Sequence, residues 1–257
     1  GSLMYPVCES ILEQSLAIRT TVLEPVRSVI DRVQPDWDGV VKYDTSIAQW
    51  LKPVIDLTDW HVYPVNGITQ GLDWWYDKEN RSVYMDEGDY QWITPKGNMY
   101  EDGVQYLSTP SAIDGNWRLQ SPVSPHVLDL AYVGSTSVQR LDVAENCERV
   151  FYSFSKPFGV RNVRTGWMFT RTPDHRLEAL THSAKYYNYY ANAVSEAIIS
   201  NFDIDYVYRT LQSSQKKVCA SYGFEPSDSV WLALTSDERY SKFIRDKVAR
   251  LCLAPCY

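Results

Sequence analysis

The chain has 257 residues, of which 44% are hydrophobic and 22% charged, and its formal net charge is −7. That length is enough for one large core or for a core with a small appended domain. The negative charge argues against generic binding to nucleic acids or anionic membranes, and no apolar run reaches the length of a membrane span. The sequence therefore predicts a globular protein with no nucleic-acid and no membrane partner.

The five cysteines are an odd number and are scattered along the chain. This usage favours reduced thiols in a cytosolic protein, so we predict a cytoplasmic location. Cys252 and Cys256 are close in sequence but lack nearby His or Cys partners, and the four histidines show no ligand spacing. The sequence therefore predicts no metal site.

The N-terminal segment has apolar side chains at helical spacing, which predicts an amphipathic helix that Pro25 kinks or splits. We assign residues 1–43 to this helical segment and residues 44–175 to a large domain. Residues 176–257 are assigned to helices and a minimal small domain. The apolar positions of the N-terminal helix are Leu12, Leu16, Leu23, Val26, Ile30 and Val33.

From Asp44 onwards short apolar segments alternate with helical or turn-rich ones. A helix is predicted to begin after Asn66-Gly67 and to run through Leu72 and Trp75. Strands that alternate with helices predict an α/β fold, in which a mostly parallel sheet is sandwiched by helices. Ligands of such sheets bind at the carboxyl ends of the strands. The predicted strands are Arg81–Met85, Val104–Leu107, Val127–Leu130, Arg149–Phe154 and Trp167–Thr170.

The C-terminal part is predicted to begin with two helices and to end in a small α/β unit. The first helix follows Pro173, and the second covers Ile204–Ala220. The small unit is predicted as strand Val230–Leu234, helix Asp237–Val248 and strand Arg250–Leu253. The apolar face of the first helix consists of Leu177, Leu180, Ala184, Tyr187 and Ala191.

One lysine stands at the end of a predicted buried strand. The aromatic run that ends at Phe154 is followed at once by Ser155 and Lys156, and Arg164 comes eight residues after the lysine. A lysine amine in a pocket can lose its proton and form a Schiff base with an aldehyde cofactor. Pyridoxal phosphate is such a cofactor, and its chemistry predicts which groups a protein must place around it.

The sequence contains a candidate for each group around the cofactor ring and its phosphate. Asp129 and Tyr132 follow a predicted strand and can face the pyridine nitrogen and the ring hydroxyl. Arg164 and Ser153 can bind the phosphate, because a guanidinium matches its geometry. Tyr90 can stack on the ring.

The segment PVNGITQGLDWW supplies a further phosphate site. It places Gly67, Ile68 and Thr69 where a turn leads into a predicted helix. Backbone N–H groups at a helix N-terminus bind anions, and the Thr69 hydroxyl can add a further hydrogen bond. We therefore expect these three residues to bind the same phosphate as Arg164.

In this order, the motifs resemble those of fold-type-I pyridoxal-phosphate enzymes, the aspartate aminotransferase superfamily (class I/II-like). SFSKPFGVRNVRTGW is similar to the family's lysine motif, in which Ser-x-Ser-Lys is followed by an Arg eight positions later and by Gly-Trp. Asp129 and Tyr132 match the family's Asp-x-x-Tyr motif, Gly67–Thr69 matches its helix start, and Tyr90 matches its stacking aromatic residue. The resemblance covers the chain from Val65 to Arg250.

The resemblance implies an aminotransferase that acts on an α-amino acid and a keto acid. Lys156 would hold the cofactor and then carry the proton as general base and acid, with Asp129 and Tyr132 as its catalytic partners. The terminal VARLCLAP is similar to a small-domain strand whose arginine clamps the substrate α-carboxylate, which implies that role for Arg250. The resemblance also implies a homodimer with its sites at the subunit interface.

The sequence departs from the family pattern in two respects. Ala112 stands where the family has an Asn that hydrogen-bonds the ring hydroxyl, which leaves Tyr132 as the main donor there. The chain is also an unusually short member, so several loops and helices must be trimmed. Both departures keep open a second reaction on the same cofactor, a decarboxylase or lyase acting on an amino-acid-like substrate.

A third alternative is a non-catalytic fold-type-I module used for interaction, against which the retention of Lys156, Asp129, Tyr132 and Arg164 together weighs. Arg161 is predicted to be solvated or at a subunit interface. A core or dimer-interface face is predicted for an aromatic cluster that consists of Tyr186, Tyr187, Tyr189 and Tyr190.

Overall fold

The structure is a computed structural model that describes residues 23–35, 43–90, 92–97, 103–119, 122 and 124–257. Its α-helices are α1 (Glu24–Ile30), α2 (Tyr43–Leu51), α3 (Gly67–Lys78), α4 (His175–Leu177), α5 (Tyr189–Asn201) and α6 (Tyr206–Tyr222). Its strands are β1 (His61–Pro64), β2 (Val83–Met85), β3 (Val104–Ser108), β4 (His126–Asp129), β5 (Cys147–Tyr152), β6 (Trp167–Thr170), β7 (Glu225–Pro226), β8 (Leu232–Thr235), β9 (Ile244–Arg245) and β10 (Val248–Cys252).

The first sheet confirms the predicted α/β fold. It has six strands in the order β1-β6-β5-β4-β3-β2. Strands β2 to β5 pair in parallel, and β6 runs antiparallel to both β5 and β1. All five strands that were predicted between residues 81 and 170 are present in this sheet, within a few residues of their predicted ends. The sequence analysis missed β1, a four-residue edge strand that ends in Pro64, because proline is depleted from strands except at such edges.

Helix α3 lies against β5 and β6, and this packing places its first residue at the carboxyl edge of the sheet. The helix comes close because Gly71 has no side chain: a Cβ there would lie 3.0 Å from Cδ1 of Phe151. All four residues of β4 and the last three of β5 are buried. Such continuous burial is typical of parallel strands that are covered on both faces.

The second sheet has four antiparallel strands in the order β7-β8-β10-β9. The predicted helix Asp237–Val248 is wrong, because only Glu238–Phe243 is helical, and it is a 3₁₀ segment. The chain then forms the β9–β10 hairpin, whose turn contains Asp246 at φ 56°. Aspartate tolerates this left-handed conformation better than most residues, so it allows a tight turn where helical periodicity alone suggested continuation.

The predicted helix after Pro173 is interrupted. Helix α4 continues into a π-helical segment at Glu178–Ser183, and Lys185 has φ 55°, so α5 begins only at Tyr189. The predicted helix at 204–220 is confirmed as α6. Helix α5 packs against α1 and α2. The proposed domain boundaries at residues 43 and 175 stay predictions.

The predicted N-terminal helix is described only in its last part, α1, and Leu12 and Leu16 lie outside the described residues. Pro25 stands in the first turn of α1 rather than in its interior. Proline is well tolerated there, because the N–H group that it lacks would have no partner within the helix. In the described segment, Pro25 therefore marks a helix start.

Candidate active site

Three parallel strands, β1, β4 and β5, end at the same edge of the sheet, and the predicted site residues converge there. Eight of them line a cavity of about 240 Å³. Tyr132 and Arg250 are not among the lining residues, and they lie beside the cavity. The predicted residues that line it are Gly67, Ile68, Thr69, Tyr90, Asp129, Ser153, Lys156 and Arg164.

Lys156 lies between two aromatic rings. Its Nζ is 4.6 Å from the centroid of the Tyr132 ring and 5.4 Å from that of Tyr90. The Tyr90 hydroxyl lies 3.4 Å from Oγ1 of Thr69, close enough for a hydrogen bond. The amine therefore enters the cavity between the strand that carries Asp129 and the first turn of α3.

Asp129 is a buried carboxyl at the end of β4. Its Oδ2 accepts a hydrogen bond of 2.7 Å from the Tyr106 hydroxyl, and its Oδ1 accepts one of 2.8 Å from the Ala131 N–H. Burial raises the pKa of Asp129, and the charge of Lys156 opposes that rise. A cationic ring nitrogen beside this carboxyl would supply the positive partner that a buried carboxylate needs.

In the sheet, β5 separates β4, which carries Asp129, from β6 and β1, and Arg164 and the start of α3 lie together on the β6–β1 side of the cavity. Arg164 donates a hydrogen bond of 3.0 Å from Nη2 to the Asn66 carbonyl. The backbone of Gly166 also packs directly on Gly67, since a Cβ at Gly166 would lie 2.7 Å from the Gly67 Cα. These contacts hold the guanidinium beside the N-terminus of a 12-residue helix, where anions are favoured.

Ser153 is buried and already has hydrogen-bond partners within the protein. Its hydroxyl is 2.8 Å from the Thr165 carbonyl and 2.7 Å from Oγ of Ser155. It also accepts a hydrogen bond from the Ser155 N–H at 3.0 Å. Ser155 lines the cavity as well, although the sequence analysis did not select it. The second serine of the Ser-x-Ser-Lys motif was the signal that could have identified it.

Glycine is required at position 67 for two reasons. Its φ is 79°, and a Cβ would lie 2.4 Å from Nη2 of Arg164. We expect Gly67→Ala to destabilise the fold by more than the 1 to 2 kcal/mol, roughly, of a left-handed alanine, because Arg164 must also move. Gly223→Ala is the matched control, because Gly223 has φ 71° and nothing within 4 Å of its Cβ position. Urea unfolding of both variants measures the difference, and equal losses would contradict the steric role of Gly67.

Tyr132 connects the cavity to the second sheet. Arg250, in β10, donates hydrogen bonds from Nη1 to the Tyr132 hydroxyl at 3.2 Å and to the Ala112 carbonyl. Ala112, which stands where the resemblance predicts an Asn, is buried, and its N–H donates to Oγ of Ser108 at 2.7 Å. Arg250, the predicted carboxylate clamp, is therefore separated from Lys156 by the side chain of Tyr132.

A second arginine, Arg245, lies near Arg250 and was not selected from the sequence. It pairs with Val248 across the β9–β10 hairpin, and Arg250 is two residues further along β10. Side chains two apart on a strand share a face, so the two arginines project from the same side of the sheet. Burial, and next the charge of Arg250, lower the pKa of Arg245. The part of the site that contains Arg245 and Arg250 is therefore cationic.

Arg161, predicted to be solvated or at a subunit interface, is half-buried within this chain. Arg161 lines the cavity, and its Nη1 is buried without a hydrogen-bond partner. The sequence analysis missed this because an arginine in a polar loop carries no periodic signal. Ala131 and Trp92 also line the cavity and were not selected.

Asp89 is a second buried carboxyl near the site. Its Oδ1 accepts hydrogen bonds from Oγ of Ser108 at 2.6 Å and from the Tyr90 N–H at 2.7 Å. Burial raises the pKa of Asp89. An acid with a raised pKa in the folded state stabilises the fold below its unfolded-state pKa, and this stabilisation is lost as pH rises through the folded-state pKa.

We therefore expect Asp89→Asn to raise the free energy of unfolding by about 1 kcal/mol at pH 7. The amide oxygen can accept both hydrogen bonds of Oδ1, the charge is removed, and the amide NH₂ loses only the long 3.4 Å contact of Oδ2 with the Ser108 N–H. The gain should vanish below the unfolded-state pKa of about 3.9. Urea unfolding at the two pH values measures the change, with Asp59→Asn at an exposed position as the control. A loss of stability at pH 7 would contradict this prediction.

Within the described ranges, no group of three or more His, Cys, Asp or Glu side chains is arranged to hold a metal ion. None of the helices in this part of the chain combines the length and the apolar character needed to cross a bilayer.

Solved structures match the chain closely in fold. A PLP-bound C–S lyase from Staphylococcus hominis has a TM-score of 0.64 at 11% identity, covering 91% of this chain and 83% of that one. Histidinol-phosphate aminotransferase from Sinorhizobium meliloti, in complex with pyridoxal-5′-phosphate, has a TM-score of 0.60 at 15% identity, covering 90% and 82%. L-Threonine-O-3-phosphate decarboxylase from Porphyromonas gingivalis has a TM-score of 0.58 at 14% identity, covering 94% and 92%.

No protein-family model matches the sequence, and no curated protein matches it. The structural matches show that the chain has the fold-type-I architecture of pyridoxal-phosphate enzymes. The matched structures include an aminotransferase, a C–S lyase and a decarboxylase, so the fold is common to enzymes of several activities.

Proposed function

We propose that this chain is a pyridoxal-phosphate-dependent aminotransferase that acts on an α-amino acid and a keto acid. One observation carries the proposal: a single cavity brings together Lys156, the buried carboxyl of Asp129 and the anion-binding start of α3 with Arg164. A lysine, a carboxylate and a phosphate site are the three groups that this cofactor requires.

The residues present fit the cofactor. Asp129, at one end of the cavity, forms no ion pair with a described residue, although the charge of Lys156 is near. Arg161, near the other end, has a buried N–H group without an acceptor. A basic ring nitrogen would match Asp129, and a phosphate would match the cationic end formed by Arg161, Arg164 and the start of α3. Tyr90 offers an aromatic face for the ring, and Lys156 lies between the two ends.

In the proposed mechanism, the bound cofactor supplies an aldehyde that condenses with amines and a ring that withdraws electrons from the substrate Cα. Lys156 would hold the cofactor and, with its amine free, would carry the Cα proton of the substrate as general base and acid. Asp129 would hold a protonated ring nitrogen. Tyr132, whose hydroxyl accepts a hydrogen bond from Arg250, would hold the ring hydroxyl, and Arg250 would bind the substrate carboxylate.

Decarboxylation or lyase chemistry is the second candidate function. Ala112 favours it, because a buried methyl group stands where the family Asn would hydrogen-bond the ring hydroxyl. Tyr132 is then the main donor at that position, which alters the electronics of the ring. Which bond at Cα breaks depends on how Arg250 and its neighbour Arg245 orient the substrate carboxylate.

The test is an absorbance spectrum of the purified protein with added pyridoxal phosphate. We expect a near-ultraviolet to visible band that disappears on borohydride treatment, with the cofactor mass fixed on Lys156. Amino acids should then convert the band to that of the aminated cofactor, whereas a decarboxylase would release carbon dioxide. A protein that stays colourless would refute both enzyme functions and leave the non-catalytic interaction module.

A homodimer with its sites at the interface, and a cytoplasmic location, also belong to this proposal. The exposed side chains of Tyr186 and Tyr190 support a partner surface, and so does the exposed Trp92 at the cavity. The four cysteines in the described part of the chain are free thiols, as expected in a reducing compartment. Sedimentation of the holoprotein tests the dimer.

A further inference from the structure

Three consecutive residues, Ser229, Val230 and Trp231, join the second sheet to the first. They come directly before β8, and all three are fully buried. Each donates a hydrogen bond to a different loop of the first sheet, through the N–H groups of Ser229 and Val230 and through Nε1 of Trp231. In that order, the acceptors are the backbone carbonyls of Gly115 at 3.2 Å, Ser135 at 2.9 Å and Pro157 at 3.1 Å.

The three loops that accept these bonds belong to the candidate site. They leave the carboxyl ends of β3, β4 and β5, which are parallel neighbours in the first sheet. In chain order they carry Ala112, whose carbonyl accepts from Arg250, then Tyr132, and then Lys156. Residues 229–231 therefore fix the positions of these loops relative to one another.

The Ser229 side chain reaches Tyr132 through one further serine. Its Oγ lies 2.9 Å from Oγ of Ser135, and Oγ of Ser135 donates to the Tyr132 carbonyl at 2.7 Å. A hydroxyl has one hydrogen to donate, so Ser229 is the donor to Ser135. Both serines are fully buried, and a hydrogen bond lost there is not replaced by solvent.

Trp231 contacts the residue that follows Lys156. Its Nε1 donates to the carbonyl of Pro157, and the loop after β4 packs on the same proline, since a Cβ at Gly134 would lie 3.0 Å from the Pro157 Cβ. The backbone of a residue before proline is restricted. Holding Pro157 therefore also orients Lys156, whose amine lies between the rings of Tyr90 and Tyr132.

Residues 229–231 are themselves fixed from the other side. The Ser229 carbonyl accepts a hydrogen bond of 2.9 Å from Nε2 of Gln215 in α6. The Trp231 carbonyl accepts one of 2.8 Å from the N–H of Leu253, which directly follows β10. The segment thus transmits the position of α6 and of the second sheet to the loops of the site.

We propose that Ser229 and Trp231 are positioning residues that hold Tyr132 and Lys156 in a fixed relation to each other. Neither is among the described residues that line the cavity. Ser229 acts through Ser135, and Trp231 acts through Pro157. The reaction that they serve rests on the proposed function, whereas their hold on Lys156 does not require it.

The first comparison is between Ser229→Ala and Ser195→Ala. Ser195 is an equally buried hydroxyl that donates to the Ala191 carbonyl within α5, so it is a matched control for stability. In the loaded protein, Tyr132 as donor to the ring hydroxyl favours the cofactor form that has lost its proton. Ser229→Ala should therefore raise the pH midpoint of the visible band by up to about 0.7 unit and lower kcat about fivefold, with KM nearly unchanged. Ser195→Ala should change neither.

The second comparison uses the cofactor-free protein. Trp231→Phe keeps a large ring and removes the N–H donor. Trp50→Phe is the matched control, because Trp50 is also buried and donates from Nε1 to the Phe202 carbonyl at 2.8 Å. Trinitrobenzenesulfonate should label Lys156 about fivefold faster in Trp231→Phe, the effect of one lost hydrogen bond that held the lysine in place. Trp50→Phe should be labelled at the wild-type rate.

The two comparisons separate this inference from the proposed function. If the wild type takes up no cofactor, the enzyme proposal fails, and faster labelling in Trp231→Phe still supports the positioning of Lys156. If each variant behaves as its control does, residues 229–231 only stabilise the fold and the inference is overturned. Ser229→Cys keeps a weak donor, so it should lie between the wild type and Ser229→Ala. It takes the place of Ser229→Ala if that variant does not fold.

Discussion

Lys156→Ala is expected to lower turnover by a factor of about 10² to 10⁴, the usual contribution of a positioned general acid or base. The variant loses the amine that holds the cofactor and removes the Cα proton, and no other described lysine lines the cavity. The steady-state rate with an amino acid and a keto acid measures the loss. Borohydride should no longer fix the cofactor on the protein.

Two controls separate this chemistry from damage to the fold. Lys217→Ala removes an exposed lysine of α6 and should change neither the rate nor the covalent label. Small primary amines should partly restore turnover to Lys156→Ala, because the truncated side chain leaves room between the rings of Tyr90 and Tyr132. A variant that keeps full activity, or that loses activity without any rescue by amines, would speak against Lys156 as the base.

The sequence predicted much of the sheet because its strands are runs of apolar, β-branched and aromatic residues, a pattern that extends over several positions. Strand β6 has its predicted bounds, and β4 and β5 differ by one or two residues. Short elements were less predictable. Strand β9 has two residues and depends on the turn at Asp246, so the helical spacing of Asp237–Val248 outweighed it in the sequence analysis.

The site was predictable where residues act in a motif and unpredictable where they act alone. The motif after β5 fixes the spacing of Lys156 and Arg164. The motif at the start of α3 fixes the position of Gly67. Arg161 and Asp89 carry no such spacing, because their importance comes from burial beside other charges. Burial depends on how the whole chain packs, so only the structure could identify them.

Asp129→Asn is expected to lower turnover by about 10² to 10³, a size typical of removing one preorganised electrostatic contact. The amide keeps the shape of the side chain. Its oxygen can still accept from the Ala131 N–H, and its NH₂ can donate to the Tyr106 hydroxyl. The variant therefore tests the charge of Asp129 alone, and cofactor binding through the phosphate should weaken much less than turnover.

Tyr106→Phe is the matched variant that keeps the charge and removes one hydrogen bond. Burial and the nearby charge of Asp129 raise the pKa of Tyr106, so its hydroxyl remains a donor at neutral pH. Losing that bond costs about 1 kcal/mol, roughly a fivefold effect on the rate. Equal losses in Asp129→Asn and Tyr106→Phe would show that Asp129 acts through shape and hydrogen bonding rather than charge.

The pH dependence of turnover gives the same test without mutation. Burial raises the pKa of Asp129, so its carboxylate becomes protonated at a higher pH than an exposed aspartate would. Once protonated, it no longer holds the proton on the ring nitrogen. Turnover should therefore fall as pH decreases through the pKa of Asp129 in the loaded enzyme, where the protonated ring nitrogen opposes the rise that burial causes. Asp129→Asn should lose this acid limb while its low rate stays flat. An acid limb that survives in Asp129→Asn would assign the titration to another group.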